Sequence, residues 1–143
     1  MIACFSAVLP APVDVVWAVA RDFGDYRLFT SGRGDAFVED GRSGDSVGAV
    51  RRACLDGRTV RQRLLSHSDA DRSYQYEFCG PPPLFLESYL ATLCFWPVVA
   101  SDQTFVEWRA DFECAAERRE SLRRELESLF AVWIASLSEV VRA

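Results

Sequence analysis

Hydrophobic and polar positions follow two different periods along the chain. Residues 2–9 form a short apolar run that is typical of a β-strand, and it is broken by Pro10 and Pro12. The apolar residues that follow recur at helical spacing, which predicts a first helix ending at Gly24: Val13, Val16, Trp17 and Ala20. Residues 25–31 suggest a second short helix before a glycine-containing loop.

From residue 35 to residue 114 the pattern changes to short runs separated by turn residues. Because the connections between them are mostly short, we predict an antiparallel arrangement of neighbouring strands. The Asp-Gly pair at 56–57 is a typical tight hairpin turn. Six strands are predicted here, at 35–40, 46–55, 58–67, 73–79, 84–96 and 103–115.

The final segment, residues 116–142, has the pattern of one long amphipathic helix. Its apolar face comprises Leu122, Leu126, Leu129, Phe130, Trp133, Ile134, Leu137 and Val141. The fold class is therefore α+β: about seven antiparallel strands forming a sheet that curls around the C-terminal helix. We expect one domain over 1–143, because no repeat or linker interrupts the chain, and we expect an internal hydrophobic cavity between sheet and helix.

Composition excludes several classes of protein. The net charge of -5 and the pI of about 4.9 argue against nucleic acid as a partner. Neither a signal peptide nor a membrane anchor is recognisable in the first residues, so a cytoplasmic protein without membrane insertion is expected. The five cysteines are then expected to be reduced. With no Cys-x-x-Cys pair and a single histidine, no metal site is predicted.

Strand alternation indicates which polar residues turn inward. In residues 60–64, Arg61 and Arg63 share the face expected to meet water, because arginine is rarely buried without a partner. Gln62 then lies on the apolar face with Val60 and Leu64. Within 47–54 the phase is ambiguous, and either Arg51 or Arg52 has to face inward.

The other predicted strands supply aromatic residues to the same face. Tyr74, Tyr76 and Phe78 alternate with polar residues, and so do Val106, Trp108, Ala110 and Phe112. Residues 85–96 show no clear alternation, so Tyr89 and Thr92 are both candidates without an assigned face. From the C-terminal helix, Phe130 and Trp133 are expected to complete a ligand wall, although a core role is the simpler interpretation of every large aromatic residue here.

Four stretches resemble the START-like (SRPBCC, helix-grip) superfamily, and within it the polyketide cyclase/dehydrase-like bacterial proteins. They are residues 11–26, 37–78, 87–98 and 104–113, which together cover most of the chain. The resemblance implies a mostly apolar internal pocket that takes a small hydrophobic or aromatic molecule, without a metal or organic cofactor. It favours Arg51 as the inward arginine, matching the family's Gly-Ala-Val-Arg pattern.

The sequence departs from those relatives at two places. Gln62 stands where many carry glutamate, and Phe29-Thr30 stands where many carry tryptophan and a polar residue such as histidine. The corresponding acid–base groups are therefore not carried over.

Two functions remain open at this point, with a third less favoured. The first is an enzyme that catalyses cyclisation, aromatisation or dehydration of a polyketide-like intermediate, with Arg51, Tyr76 and Tyr89 as catalytic residues. Its ligand would contact Gln62, Tyr74, Phe78, Thr92, Trp108, Phe112, Phe130 and Trp133. The second is a non-catalytic carrier of a hydrophobic molecule, and the third is an interaction module that forms a homodimer.

Some polar residues have simpler alternatives. Arg51 could instead lie at the rim of the sheet or pair with Glu87. His67, in a polar turn, is expected to be solvated rather than a catalytic base. Asp22, Asp25 and Asp35 are expected to serve as caps and turn residues.

Overall fold

The computed structural model describes residues 1–25, 36–55 and 58–142. In these ranges it contains two α-helices, α1 (Val13–Ala20) and α2 (Arg119–Arg142), and two short 3₁₀ turns, Glu39–Gly41 and Ala116–Arg118. The strands of the described chain are β1 (Ile2–Leu9), β2 (Ala36–Val38), β3 (Val50–Leu55), β4 (Arg58–Ser68), β5 (Ser73–Phe78), β6 (Ser88–Val98) and β7 (Gln103–Glu113).

The strands form one antiparallel sheet in the order β1-β7-β6-β5-β4-β3-β2. From β2 to β7 every strand pairs with its successor in the chain, as short connections require. The first strand joins at the far edge, beside β7. The prediction of an antiparallel sheet of about seven strands is confirmed.

Helix α2 lies across the inner face of the sheet. The side chains that it buries are Leu122, Leu126, Phe130, Trp133, Ile134, Ser136 and Leu137, close to the predicted apolar face. Glu127 also covers the open edge of the sheet, because its Oε2 accepts the backbone N–H of Cys4 at 3.1 Å. An edge strand with unsatisfied N–H groups invites pairing with another chain, and this contact removes one of them.

Several element boundaries differ from the sequence prediction; β3, for example, begins at Val50 rather than at residue 46. Two other differences have a local explanation. Helix α1 ends at Ala20 rather than Gly24, because Asp22 Oδ1 accepts the N–H of Gly24 at 2.9 Å and closes a local turn. Strand β6 begins at Ser88 rather than near residue 84. Leu84 and Phe85 have φ values of 61° and 60°, which extended strands do not contain.

Several predictions concern residues outside the described ranges. They are most of the second short helix at 25–31, the Phe29-Thr30 departure, Asp35 and the Asp-Gly turn at 56–57. Among the described helices, none is long and apolar enough to cross a membrane.

Candidate functional site: a buried arginine among tyrosines

Arg51 lies on the inner face of the sheet, and its neighbour Arg52 lies on the outer face. Arg51 is 1% exposed, and its partner across the β3–β4 ladder is Gln62, itself 5% exposed. The side chain of Arg52 is 47% exposed and binds Glu39. The structure thus resolves the ambiguous phase of this strand.

Several contacts hold the Arg51 guanidinium. Its Nε donates to Gln62 Oε1 at 2.7 Å, and Nη1 donates to the backbone carbonyl of Phe23 at 3.0 Å. The guanidinium carbon lies 3.8 Å from the centroid of the Phe23 ring and 4.8 Å from that of Tyr76. Both rings offer their π-faces to the cation. Glu87, the alternative partner considered above, is exposed.

Burial sets the charge state of this interior. It lowers the pKa of Arg51, because a charge is disfavoured away from water. The guanidinium nevertheless stays protonated at neutral pH, as arginine does in proteins. The sequence therefore places a positive charge, held by a neutral amide, inside a mostly apolar core.

Three tyrosines surround that charge. Burial raises the pKa of Tyr74, Tyr76 and Tyr89 above the ordinary value, and the positive charge of Arg51 opposes the rise in each case. All three are consequently neutral at pH 7. In this form they act as hydrogen-bond or proton donors rather than as bases.

The three hydroxyl groups are not equivalent. Tyr76 Oη accepts a hydrogen bond from Trp108 Nε1 at 3.1 Å. The ring of Tyr89 lies 6.1 Å from that of Tyr76, and the two hydroxyls interact. Tyr74 Oη is buried and has no hydrogen-bond partner of good geometry among the described residues, although it feels the charge of Arg51.

The predicted aromatic wall is buried and packs on itself. Trp108 stacks on Phe130 with ring centroids 5.5 Å apart, and it contacts Trp133 at 5.0 Å. Phe112 is also buried, 1% exposed. Phe78 is partly buried, with its ring 4.8 Å from that of Tyr89.

One predicted ligand residue does not belong to this set. Thr92 lies on the outer face of β6, where its hydroxyl accepts a hydrogen bond from Gln75 Nε2 at 3.2 Å. The buried residues of that strand are Tyr89, Ala91, Leu93 and Phe95. The prediction for Thr92 is wrong, because only odd-numbered positions of β6 point inward in this part of the strand.

His67 was expected to be solvated, and that expectation is also wrong. Its side chain is 7% exposed, and its ring lies 5.4 Å from the ring of Trp17. Nε2 lies 3.1 Å from Asp69 Oδ1. Strict alternation from Leu64 would have turned His67 outward, but an irregularity in the β4–β5 register between Leu64 and Ser66 reverses the phase.

A groove of about 320 Å³ opens at the start of β4. Val60 and Phe78, which lie on the inner face of the sheet, also line it, so the groove borders that face. Three prolines and two arginines form much of the rest of its wall: Arg58, Arg61, Pro81, Pro82 and Pro83. Within the described ranges, no cluster of three or more histidine, cysteine or acidic side chains could hold a metal ion.

Sequence reasoning missed two contributors to the site. Phe23 supplies both a carbonyl acceptor and a ring to Arg51. Asp69 orients the rings of Trp17 and His67 by accepting from both. No periodic signal marks either residue, since Phe23 follows the end of α1 and Asp69 lies in a turn.

A curved antiparallel sheet that holds a long C-terminal helix is the architecture of the helix-grip (START-like, SRPBCC) class. Within that class, residues 5–140 match the model of one family, described as polyketide cyclase / dehydrase and lipid transport. The chain belongs to this family.

Solved structures show the same fold. A protein from Nitrosospira multiformis shares 31% identity over 100% of both chains with a TM-score of 0.77. An uncharacterised protein from Bacillus thuringiensis shares 20% over 100% of both chains with a TM-score of 0.84. Norcoclaurine synthase from Thalictrum flavum shares 12% identity with a TM-score of 0.75, over 99% of this chain and 86% of its own. None of the curated proteins matches the chain.

Proposed function

We propose that this protein binds a small aromatic molecule with an acidic or enolisable oxygen inside the sheet, and catalyses its cyclisation, aromatisation or dehydration. The observation that carries the proposal is the positive charge of Arg51, buried among three neutral tyrosines. A fixed charge in a low-dielectric interior interacts strongly with an oxyanion that develops beside it.

The cluster supplies the electrophilic half of such chemistry. When a proton is removed next to a ligand carbonyl, the negative charge moves onto the carbonyl oxygen as an enolate. Arg51 stabilises this oxygen, and the hydroxyl of Tyr76 or Tyr89 donates a hydrogen bond to it. In a dehydration, one of these two tyrosine hydroxyls protonates the departing hydroxide, and the tyrosinate formed takes up the proton released from the ligand carbon, so that water leaves and the neutral tyrosine is restored.

The comparisons support a ligand of this kind. The family's description includes polyketide cyclases and dehydrases. Norcoclaurine synthase, which has the same fold, has been solved with dopamine and hydroxybenzaldehyde, two small aromatic molecules. The groove beside Val60 and Phe78 lies near the buried Tyr89, because the ring of Phe78 contacts that of Tyr89.

A carrier without catalytic activity is the second candidate. It is favoured by Gln62, whose amide cannot act as a general acid or base and already accepts a hydrogen bond from Arg51. The same family description also names lipid transport.

The first experiment measures binding through tryptophan fluorescence, because Trp108 lies next to Tyr76. The probes are 1-hydroxy-2-naphthoate and its neutral methyl ester. We expect the anion to bind about tenfold more tightly, equivalent to about 1.4 kcal/mol. Arg51→Met should abolish this preference, and the exposed Arg52→Met should retain it. Equal affinities in the native protein would contradict the proposal without any variant.

The second experiment separates enzyme from carrier. A poly-β-ketone thioester is incubated with the protein, and cyclised or dehydrated products are followed by mass spectrometry. We expect turnover that falls at least tenfold in Tyr76→Phe or Tyr89→Phe, while binding of the naphthoate is retained. Binding of the naphthoate without turnover in the native protein would favour the carrier.

A further inference from the structure

Two residues that face each other in the register of the sheet each carry a buried polar side-chain atom. Neither His67 Nδ1 nor Tyr74 Oη makes a hydrogen bond of good geometry among the described residues, although burial raises the pKa of Tyr74 and the nearby charge of Arg51 opposes that rise. The two residues are direct partners across the β4–β5 ladder. Both rings also contact Trp17, with centroids 5.4 Å and 6.4 Å away. A buried polar atom without a partner costs stability, so such atoms commonly mark a place for water or a ligand.

The hydrogen bonds of Asp69 determine what His67 offers to the interior. Asp69 Oδ1 lies 2.9 Å from Trp17 Nε1 and 3.1 Å from His67 Nε2, while Arg21 binds both of its oxygens. These hydrogen bonds, led by that of Arg21, hold the pKa of Asp69 well below its usual value. An ionised Asp69 can only accept, so Nε2 is the donor of this pair and carries the proton in the single-proton tautomer of His67. Nδ1 then presents a lone pair.

Tyr74 provides the complementary group. Its hydroxyl is neutral, because burial raises its pKa, and it can both donate and accept. The ring of Tyr74 lies 6.2 Å from that of Tyr76, next to Arg51. Tyr74 thus lies between Arg51 and Tyr76 on one side and His67 on the other.

We propose that His67 Nδ1 and Tyr74 Oη form a second polar subsite, beneath Trp17, that binds a hydroxyl group of the ligand. The ligand hydroxyl donates to Nδ1 and accepts from the hydroxyl of Tyr74. This inference rests on the proposed binding of an aromatic molecule in the interior and narrows its class. The ligand is a phenol or aromatic alcohol that carries a second, acidic or enolisable oxygen for Arg51.

The test uses the fact that the chain contains one histidine. Protein labelled with ¹⁵N-histidine gives a single imidazole, whose Nδ1 resonance is sensitive to an accepted hydrogen bond. The probes are 2-naphthol and 2-methylnaphthalene, which have similar shapes. We expect 2-naphthol to shift the Nδ1 resonance and 2-methylnaphthalene to leave it nearly unchanged, while both alter tryptophan fluorescence.

Variants give an independent readout. We expect the native protein to prefer 2-naphthol about tenfold over 2-methylnaphthalene. His67→Leu should lose this preference, and His67→Asn, whose amide oxygen can replace Nδ1 as acceptor, should recover part of it. Thr92→Val, on the outer face, is the matched control and should behave as the native protein.

Failure of the proposed subsite and failure of the proposed function would give different results. If both probes bind but Nδ1 does not respond, the subsite is overturned and His67 is a structural residue only. An undiminished preference in folded His67→Leu would have the same meaning. If neither probe nor the naphthoate changes the tryptophan fluorescence, the proposed function itself fails.

Discussion

The two faces of the β3–β4 hairpin carry the same kind of contact in opposite environments. On the inner face, Arg51 Nε donates to Gln62 at 2.7 Å. On the outer face, Arg52 Nε and Arg61 Nε both donate to Glu39 Oε2, also at 2.7 Å. Arg51 faces Gln62 in the ladder, and Arg52 faces Arg61 one residue along.

The hydrogen-bond distances on the two faces are equal, but their contributions to stability differ because only the outer face is in contact with water. Outside, two arginines share a carboxylate, and solvent weakens both the attraction and the cost of losing it. Inside, one arginine meets an amide and two aromatic rings, where any donor or acceptor that loses its partner stays without one. The comparison teaches that burial, rather than geometry, decides which of these arginines matters for stability and for a ligand.

The largest expected effect is on the inner face. Arg51→Ala leaves the oxygens of Gln62 and Phe23 without their donor and opens a cavity, so we expect the free energy of unfolding to fall by about 3–5 kcal/mol. Urea denaturation measures it. Arg52→Ala is the control, with a loss several times smaller. Similar losses for both variants would remove the distinction between the faces.

Removing the acceptor of the Arg51–Gln62 hydrogen bond should lower the free energy of unfolding less than removing the donor. Gln62→Leu preserves most of the side-chain volume but leaves Arg51 Nε without its acceptor, at a cost of about 1–3 kcal/mol. The urea midpoint, compared with that of Arg63→Leu on the outer face, measures this. A Gln62→Leu protein as stable as the native one would show that the amide does not stabilise the arginine.

Removing single tyrosine hydroxyls tests whether a buried group that loses its partner lowers stability. Tyr76→Phe takes the acceptor from Trp108 Nε1, so we expect a loss of about 1–2 kcal/mol. Tyr74→Phe removes a hydroxyl that makes no hydrogen bond of good geometry among the described residues, and the loss should stay below about 0.5 kcal/mol. Thermal unfolding of both variants measures the difference, and the reverse order would contradict these assignments.

The smallest effect on stability is expected for Glu39 on the outer face of the sheet, and this effect depends on pH. Hydrogen bonds from Arg61 and Arg52 lower the pKa of Glu39 from 4.5 to about 2. Because the folded pKa lies below the unfolded one, Glu39 stabilises the protein fully above about pH 4.5, and this contribution disappears as the pH falls towards 2. Glu39→Gln should therefore lower the stability of the protein slightly at pH 7. Between about pH 4.5 and pH 2, the stability of this variant should decrease less steeply than that of the native protein.

Salt provides the control for this last prediction. Added sodium chloride screens exposed pairs, so the difference between Glu39→Gln and the native protein should shrink at high ionic strength. The loss caused by Gln62→Leu should persist. A salt-independent effect of Glu39→Gln would mean that the outer cluster is less exposed to solvent than its arginines indicate.

Much of the fold followed from periodicity. The predicted inward positions of β5 and β7, including Tyr76 and Trp108, are buried, except that Phe78 at the end of β5 is only partly buried. The apolar face of α2 was predicted by its helical spacing. These predictions succeed because the period of a regular helix or strand fixes which residues share a face. The face that carries the apolar residues is then the buried one.

The site was less predictable where regularity ends. Thr92 was misplaced because β6 is apolar on both faces, so its pattern shows no alternation. His67 was misplaced because the register irregularity before Ser66 leaves no mark in the sequence. Phe23 was missed because its carbonyl reaches Arg51 across 28 residues, a contact that no local pattern contains.

The sequence by itself determined the order of elements, the family, and the inward phase of Gln62, Tyr74 and Tyr76. Only the tertiary structure decided that Arg51, and not Arg52, carries its charge into the interior. Both phases of β3 place one arginine inside, so local sequence treats them nearly alike. The difference arises from what surrounds each position after folding: Gln62 and Phe23 accept from one arginine, and Glu39 accepts from the other.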